Sequence, residues 1–169
     1  AKADGTYGTS KGGTSTKNDT FPNTYSAGSL AVTKKVTGNL GDKDKKFKVT
    51  VTFKAPEGKT VKEAIKYSEG GKYKTIATSA WKNSEAEVKI NLADSDTVTF
   101  MNIPYDVTYT VVEKDYKTTD GYDAADYNFS DIDKKIDSAN DTVTITNNKG
   151  GTVDTGVILD NAPYILMLA

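Results

Sequence analysis

Short runs of alternating apolar and polar residues, separated by turn signals, predict an all-β sandwich of about seven strands. Composition points the same way: Thr, Val, Tyr and Lys are plentiful, and Leu is comparatively scarce. Residues of the first kind fit a pleated, half-buried surface. No strand–helix–strand alternation is visible, so a parallel sheet is not expected. The length of 169 residues suits one domain with a real core plus extra segments.

Residues 1–28 are rich in Gly, Thr, Ser, Asn and Lys, with only Phe21, Pro22 and Tyr25 standing out. They read as a flexible leader or linker, with an added edge strand or the end of a preceding domain as alternatives. The pattern changes at Ser29, and residues 29–37 alternate as a strand. A charged turn follows from Gly38. Phe47, Val49, Val51 and Phe53 then share one face of a second strand. After the Ala55-Pro-Glu-Gly turn, Val61 to Ile65 reads as one helical turn, and Lys72 to Ala77 as a short strand anchored by Tyr73. Ala86, Val88, Ile90 and Leu92 alternate again. Two more strands cover Thr97 to Met101 and Val107 to Glu113, joined tightly at Ile103-Pro-Tyr-Asp106. Residues 115–135 are acidic and aromatic and read as a long loop or irregular strand. Thr142 to Asn147 is the last strand of a domain spanning 29–148.

Composition also excludes chemistry. Without Cys there are no disulfides or thiolates, and without His the commonest general base and metal ligand are missing. Ser-His-Asp and Cys-His enzymes are ruled out. A net charge of -1, with both signs interspersed, marks no nucleic-acid surface. Asp120, Asp123, Asp126, Asp131 and Asp133 lack the spacing of a calcium loop and read as a solvated acidic segment. No cofactor or metal is expected. The start, Ala1 to Gly5, has no apolar stretch of a signal peptide, so an exported protein would be in a mature or recombinant form.

Three residues break the apolar faces of three strands. Leu30, Val32, Lys34 and Val36 point one way; so do Tyr109, Val111 and Glu113, and so do Val143, Ile145 and Asn147. An amine, a carboxyl and a carboxamide thus fall at inward positions, where an unpaired charge is expensive. Lys and Asn can condense to an isopeptide amide, releasing ammonia, while Glu moves the protons. Burial lowers the amine pKa and raises the carboxyl pKa, which suits both tasks. Lys35, Asn148 and Asn102 are the alternatives, since a one-residue slip turns each to the opposite face.

The runs Leu30-x-Val-x-Lys34-x-Val-x-Gly38, Tyr109-x-Val-x-Glu113 with Gly121-Tyr122, and Val143-x-Ile-x-Asn147 resemble the isopeptide-bonded Ig-like modules of Gram-positive surface proteins. These are the collagen-adhesin B-type domains and their relatives in streptococcal backbone pilins. Ile103-Pro-Tyr-Asp106 is similar to the family's Leu-Pro-x-Gly turn, with Asp106 in place of glycine. The resemblance implies an Ig-like sandwich with Lys34 as amine, Asn147 as acceptor and Glu113 as catalytic carboxyl. The bond would tie the first core strand to the last and resist unfolding and proteolysis.

Residues 149–169 resemble a sortase sorting signal. Thr152-Val-Asp-Thr-Gly156 leads into an apolar stretch, with Asp154 where pilin variants have proline. The apolar run is shorter than the ~20 residues that span a bilayer and reads as a truncated hydrophobic segment. The resemblance implies sortase cleavage between Thr155 and Gly156 and transfer of Thr155 to a neighbouring pilin subunit or to peptidoglycan. It further implies a structural module on the cell wall or pilus, outside the cell, that catalyses nothing in turnover. The alternative is an adhesin module holding a host protein or glycan in loops 54–72 or 115–135.

Overall fold

The computed structural model describes residues 26–152. Nine strands lie among them: β1 Ala27–Thr37, β2 Phe47–Lys54, β3 Ile65–Glu69, β4 Lys72–Ile76, β5 Glu85–Leu92, β6 Thr97–Pro104, β7 Thr108–Glu113, β8 Asp126–Phe129 and β9 Asn140–Asn148. They form a six-stranded sheet in the order β4-β3-β6-β1-β9-β8 and a three-stranded sheet in the order β5-β2-β7. The all-β sandwich is therefore present.

Period-2 patterning places the core between the sheets. On β1, Leu30, Val32, Lys34 and Val36 are buried, while Lys35 between them is exposed. Phe47, Val49, Val51 and Phe53 bury the facing side of β2. The main core runs from Leu30, Phe53 and Phe100 to Val143 and Ile145. A smaller cluster of Val36, Phe47, Tyr116 and Tyr122 stands apart from it.

Three details depart from expectation. The Val61–Ile65 segment is not helical; Ile65 opens β3, whose buried Ile65 and Tyr67 alternate with Lys66 and Ser68. Tyr73 anchors nothing, being 78% exposed on the edge strand β4. The large sheet is mixed: β9 runs parallel to β1, from Asn140 opposite Ser29 to Asn148 opposite Thr37. Parallel pairing needs a long crossover but no helix, and here the rest of the sandwich provides it.

The 115–135 stretch holds two elements. Helix α1, Tyr116–Asp120, is capped by the Asp115 carboxylate, which accepts from the N–H groups of Lys117 and Thr118. It ends at Gly121, whose φ of 76° is the left-handed conformation that glycine adopts without a Cβ clash. β8 follows and pairs antiparallel with β9. In the β6–β7 turn, Asp106 adopts a φ of 75°, the glycine-like conformation at the position where the family turn has glycine.

Candidate functional site

Lys34 and Asn147 sit on adjacent parallel strands of one sheet, and Glu113 faces them from the other. Asn147 is paired with Val36, and Lys34 with Ile145, so the two side chains are diagonal neighbours on the same inward face. Glu113 ends β7 opposite Val49 of β2. All three are buried: Lys34 and Asn147 are 1% exposed and Glu113 is 7% exposed. The fold thus brings together the three polar residues singled out from alternation alone.

The Lys34 Nζ is in hydrogen-bond contact with the Asn147 Oδ1. It also donates to the carbonyls of Lys35 at 3.1 Å and Ile145 at 3.3 Å. The Glu113 Oε2 lies 3.6 Å from the amine. Neither carboxyl oxygen of Glu113 has a hydrogen-bond partner among the described residues. A buried charge in that condition is unstable and tends to neutralise. Burial pushes the Lys34 amine below its ordinary value, against the pull of the Glu113 charge. Burial likewise pushes the Glu113 carboxyl up, against the Lys34 charge. Both shifts favour the uncharged pair, a free amine beside a protonated acid. A free amine touching a carboxamide, with an acid able to carry a proton, can perform acyl transfer.

The alternative residues lie elsewhere. Lys35 is exposed. Asn148 is half-buried and donates through Nδ2 to Asp123 Oδ2 at 2.8 Å. Asn102 is half-buried on β6 and donates to the Ala64 carbonyl at 3.3 Å. Thr155 and Gly156 fall outside the described residues. Among the described residues, no His, Cys, Asp and Glu cluster could hold a metal ion.

Several residues around the trio were not singled out from the sequence. The Phe47 ring lies under the amine, its centroid 4.2 Å from Nζ. Tyr116 and Tyr122 meet that ring edge-on, at centroid distances of 4.8 Å and 5.4 Å. The Glu113 N–H donates to the Tyr127 hydroxyl at 2.8 Å. Phe47 was visible as a core position, and Tyr122 as part of a motif. Their convergence on Lys34 depends on the return path of residues 114–123, which alternation does not encode.

A second buried polar pair lies further along the same strands: the Tyr109 hydroxyl donates to Asp141 Oδ2 at 2.7 Å. In the 54–72 region, a hollow beside Trp81, Val61 and Thr60 encloses about 170 Å³. That is below the about 300 Å³ at which small-molecule pockets begin, whereas a second hollow in the same region, lined by Thr60, Lys62, Glu63 and Pro104, encloses about 330 Å³.

A family model described as a domain of unknown function, DUF7601, matches residues 28–153. A curated pilin of Streptococcus pyogenes serotype M1 is 30% identical over 161 residues, covering 87% of this chain and 46% of the relative. The solved major pilin of S. pyogenes is 26% identical, with a TM-score of 0.51, over 74% of this chain and 48% of that one. Another S. pyogenes major pilin has a TM-score of 0.58 at 20% identity, over 73% and 45% of the two chains. The pilus-presented adhesin Cpa has a TM-score of 0.52 at 20% identity, over 75% and 28%. The last two likenesses show a shared fold. The chain spans about half the length of the curated relative, 46%.

Proposed function

We propose a structural role in a Gram-positive pilus for this chain, which belongs to the DUF7601 family of domains. Its similarity to a pilin and to a solved major pilin supports that role. In this reading the module, residues 29–148, is stabilised by an amide that it forms on itself. The observation that carries the reading is the buried contact of the Lys34 amine with the Asn147 carboxamide, with Glu113 facing both.

The reaction balances without a co-reactant. Lys34 Nζ bonds to Asn147 Cγ, the Cγ–Nδ2 bond breaks, and Nδ2 leaves as ammonia. Glu113, starting protonated, gives its proton to the carboxamide and regains one from the attacking amine, so that the net proton ends on the departing nitrogen. Folding supplies the proximity, since the amine and the carboxamide oxygen are held in contact before reaction. The chemistry occurs once per molecule, so the protein is a structural component and no enzyme.

In this proposal the leader, read from the sequence as 1–28, gives way to the module at Ala27, where β1 begins, and residues 149–169 are a sorting-signal-like tail. Sortase cuts between Thr155 and Gly156 and joins Thr155 to a neighbouring pilin subunit or to peptidoglycan outside the cell. A sortase assay tests this: the expected product ends at Thr155, and an uncut chain overturns the sorting reading alone.

Intact mass tests the cross-link. Wild type is expected to be lighter than its sequence by one ammonia, and Lys34→Ala and Glu113→Ala to have full mass. A full-mass wild type refutes the amide.

A further inference from the structure

We propose that residues 115–123 form a clasp that positions the reacting trio, with Tyr116, Tyr122 and Asp123 as its positioning residues. The inference rests on the amide-forming reading above and adds residues that touch none of the reacting atoms.

The clasp starts directly after Glu113. The Lys114 N–H donates to the Lys48 carbonyl at 3.0 Å, and the Lys48 N–H donates to the Tyr116 hydroxyl at 2.8 Å. Both bonds tie the start of the segment to β2, next to Phe47. The Asp42 N–H donates to the Tyr122 hydroxyl at 3.1 Å, fixing the far end of the segment to the β1–β2 turn. Between these anchors the two tyrosine rings grip Phe47, whose face meets Lys34 Nζ. An ion pair of Lys45 with Asp120, 2.7 Å apart, closes the same side.

The segment then grips the acceptor strand. The Asp123 N–H donates to the Asn148 carbonyl at 2.8 Å, and the Asn148 Nδ2 returns a bond to the Asp123 carboxylate at 2.8 Å. Asn148 is the neighbour of Asn147, so this reciprocal pair fixes the backbone that carries the acceptor. One short stretch thus connects the strand end of Glu113, the ring beneath Lys34 and the strand end of Asn147. Its aromatic cluster with Val36 is separate from the main core.

Reacting groups gain from being held, and a misplacement of about 1 Å can slow a reaction by about 100-fold. The experiment follows intact mass with time after refolding from denaturant, beside circular dichroism as the record of folding. Wild type, Tyr116→Phe, Tyr122→Phe, the double variant, Asp123→Ala and Phe100→Leu are each collected before cross-linking is complete, and the unreacted fraction is followed. Removing a hydroxyl keeps the rings, so the single variants are expected to fold. They are expected to accumulate as folded, full-mass protein and to lose ammonia about 10-fold to 100-fold more slowly than wild type. Phe100→Leu, a main-core change away from the clasp, controls for lost stability and is expected to cross-link at the wild-type rate once folded.

Clasp variants that fold and lose ammonia at the wild-type rate overturn the proposal. So does slowing that Phe100→Leu reproduces at equal loss of stability, because the effect is then general. A wild type that never loses ammonia removes the amide itself, and the clasp's role with it. That signature differs from a reacting wild type beside variants that keep pace.

Discussion

Strands β7 and β9 each carry two inward polar residues, and the two resulting sites differ in one respect. At one end Tyr109 faces Asp141; at the other Glu113 faces Lys34 and Asn147. Tyr109 donates to Asp141 at 2.7 Å, and Ser138 supplies a further donor to the same carboxylate at 3.3 Å. The Glu113 carboxyl oxygens have no hydrogen-bond partner within normal distance among the described residues, only the Lys34 amine at 3.6 Å, although the carboxyl is as deeply placed. A satisfied polar pair rigidifies a core, whereas an unsatisfied one is costly to maintain. The first site is a pin between the sheets. The second becomes favourable only when its groups neutralise or react, which is the logic of the proposed amide.

Breaking the second site is expected to have the largest effect. A cross-link between residues 34 and 147 closes a loop on the order of 100 residues, and such closure contributes about 5 kcal/mol of unfolded-state entropy. Lys34→Ala removes it and leaves the Glu113 carboxyl buried without the group it faces. Denaturant unfolding is expected to show a stability loss of that order, and an unchanged midpoint would rule the cross-link out.

Tyr109→Phe tests the other site. Leaving Asp141 without its main donor is expected to cost about 1–3 kcal/mol. The ammonia is still lost, so stability falls while the mass stays at the cross-linked value. Full mass in this variant would show that the two sites are one coupled network.

The comparison sharpens with pH in Asn147→Ala, which keeps Lys34 and Glu113 but cannot form the bond. The folded state holds the Glu113 proton more tightly than the unfolded chain, whose ordinary value is 4.5. Stability is therefore greatest below that value and is lost as pH rises through the raised one. The folded state releases the Lys34 proton more readily than the unfolded chain, at an ordinary 10.5. Stability then recovers as pH climbs from the lowered value towards 10.5. Melting temperatures across pH should show a minimum between the two limbs. A wild type that carries the proposed amide has no Lys34 amine to titrate, and its alkaline recovery is expected to be absent.

Smaller effects follow outward. Tyr127→Phe removes the acceptor of the Glu113 N–H, a single bond of about 1 kcal/mol. Lys89→Ala breaks an exposed ion pair with Glu87, and thermal unfolding is expected not to register it.

Wherever one face of a strand is buried and the other wet, the alternation was readable: β1, β2, β5, β7 and β9 follow from it. Lys34, Glu113 and Asn147 were legible for the same reason, since each interrupts an apolar face. β3 was misread because Ile65 and Tyr67 alternate over only five residues beside the possible helical turn at Val61. The helix α1 was signalled by Asp115 and Gly121, a cap and a stop, but was masked by the acidic run around it. Parallel pairing of β1 with β9 was invisible, because a strand's own pattern says which face is buried and nothing about which neighbour it takes. The same holds for Phe47, whose burial was clear and whose place beneath Lys34 was not.

That parallel pairing has a consequence of its own. Since β1 and β9 run side by side in one direction, the chain enters at the Ala27 end of the sandwich and leaves at the Asn148 end. Traction applied to the two ends loads the hydrogen bonds between these strands in shear, all together, instead of peeling them one at a time. With Lys34 joined to Asn147, tension would run along β1 to residue 34, across the amide, and out through Asn148, the last residue of β9. Everything between Lys35 and Thr146 would then carry no load, and the module would transmit a pull without lengthening.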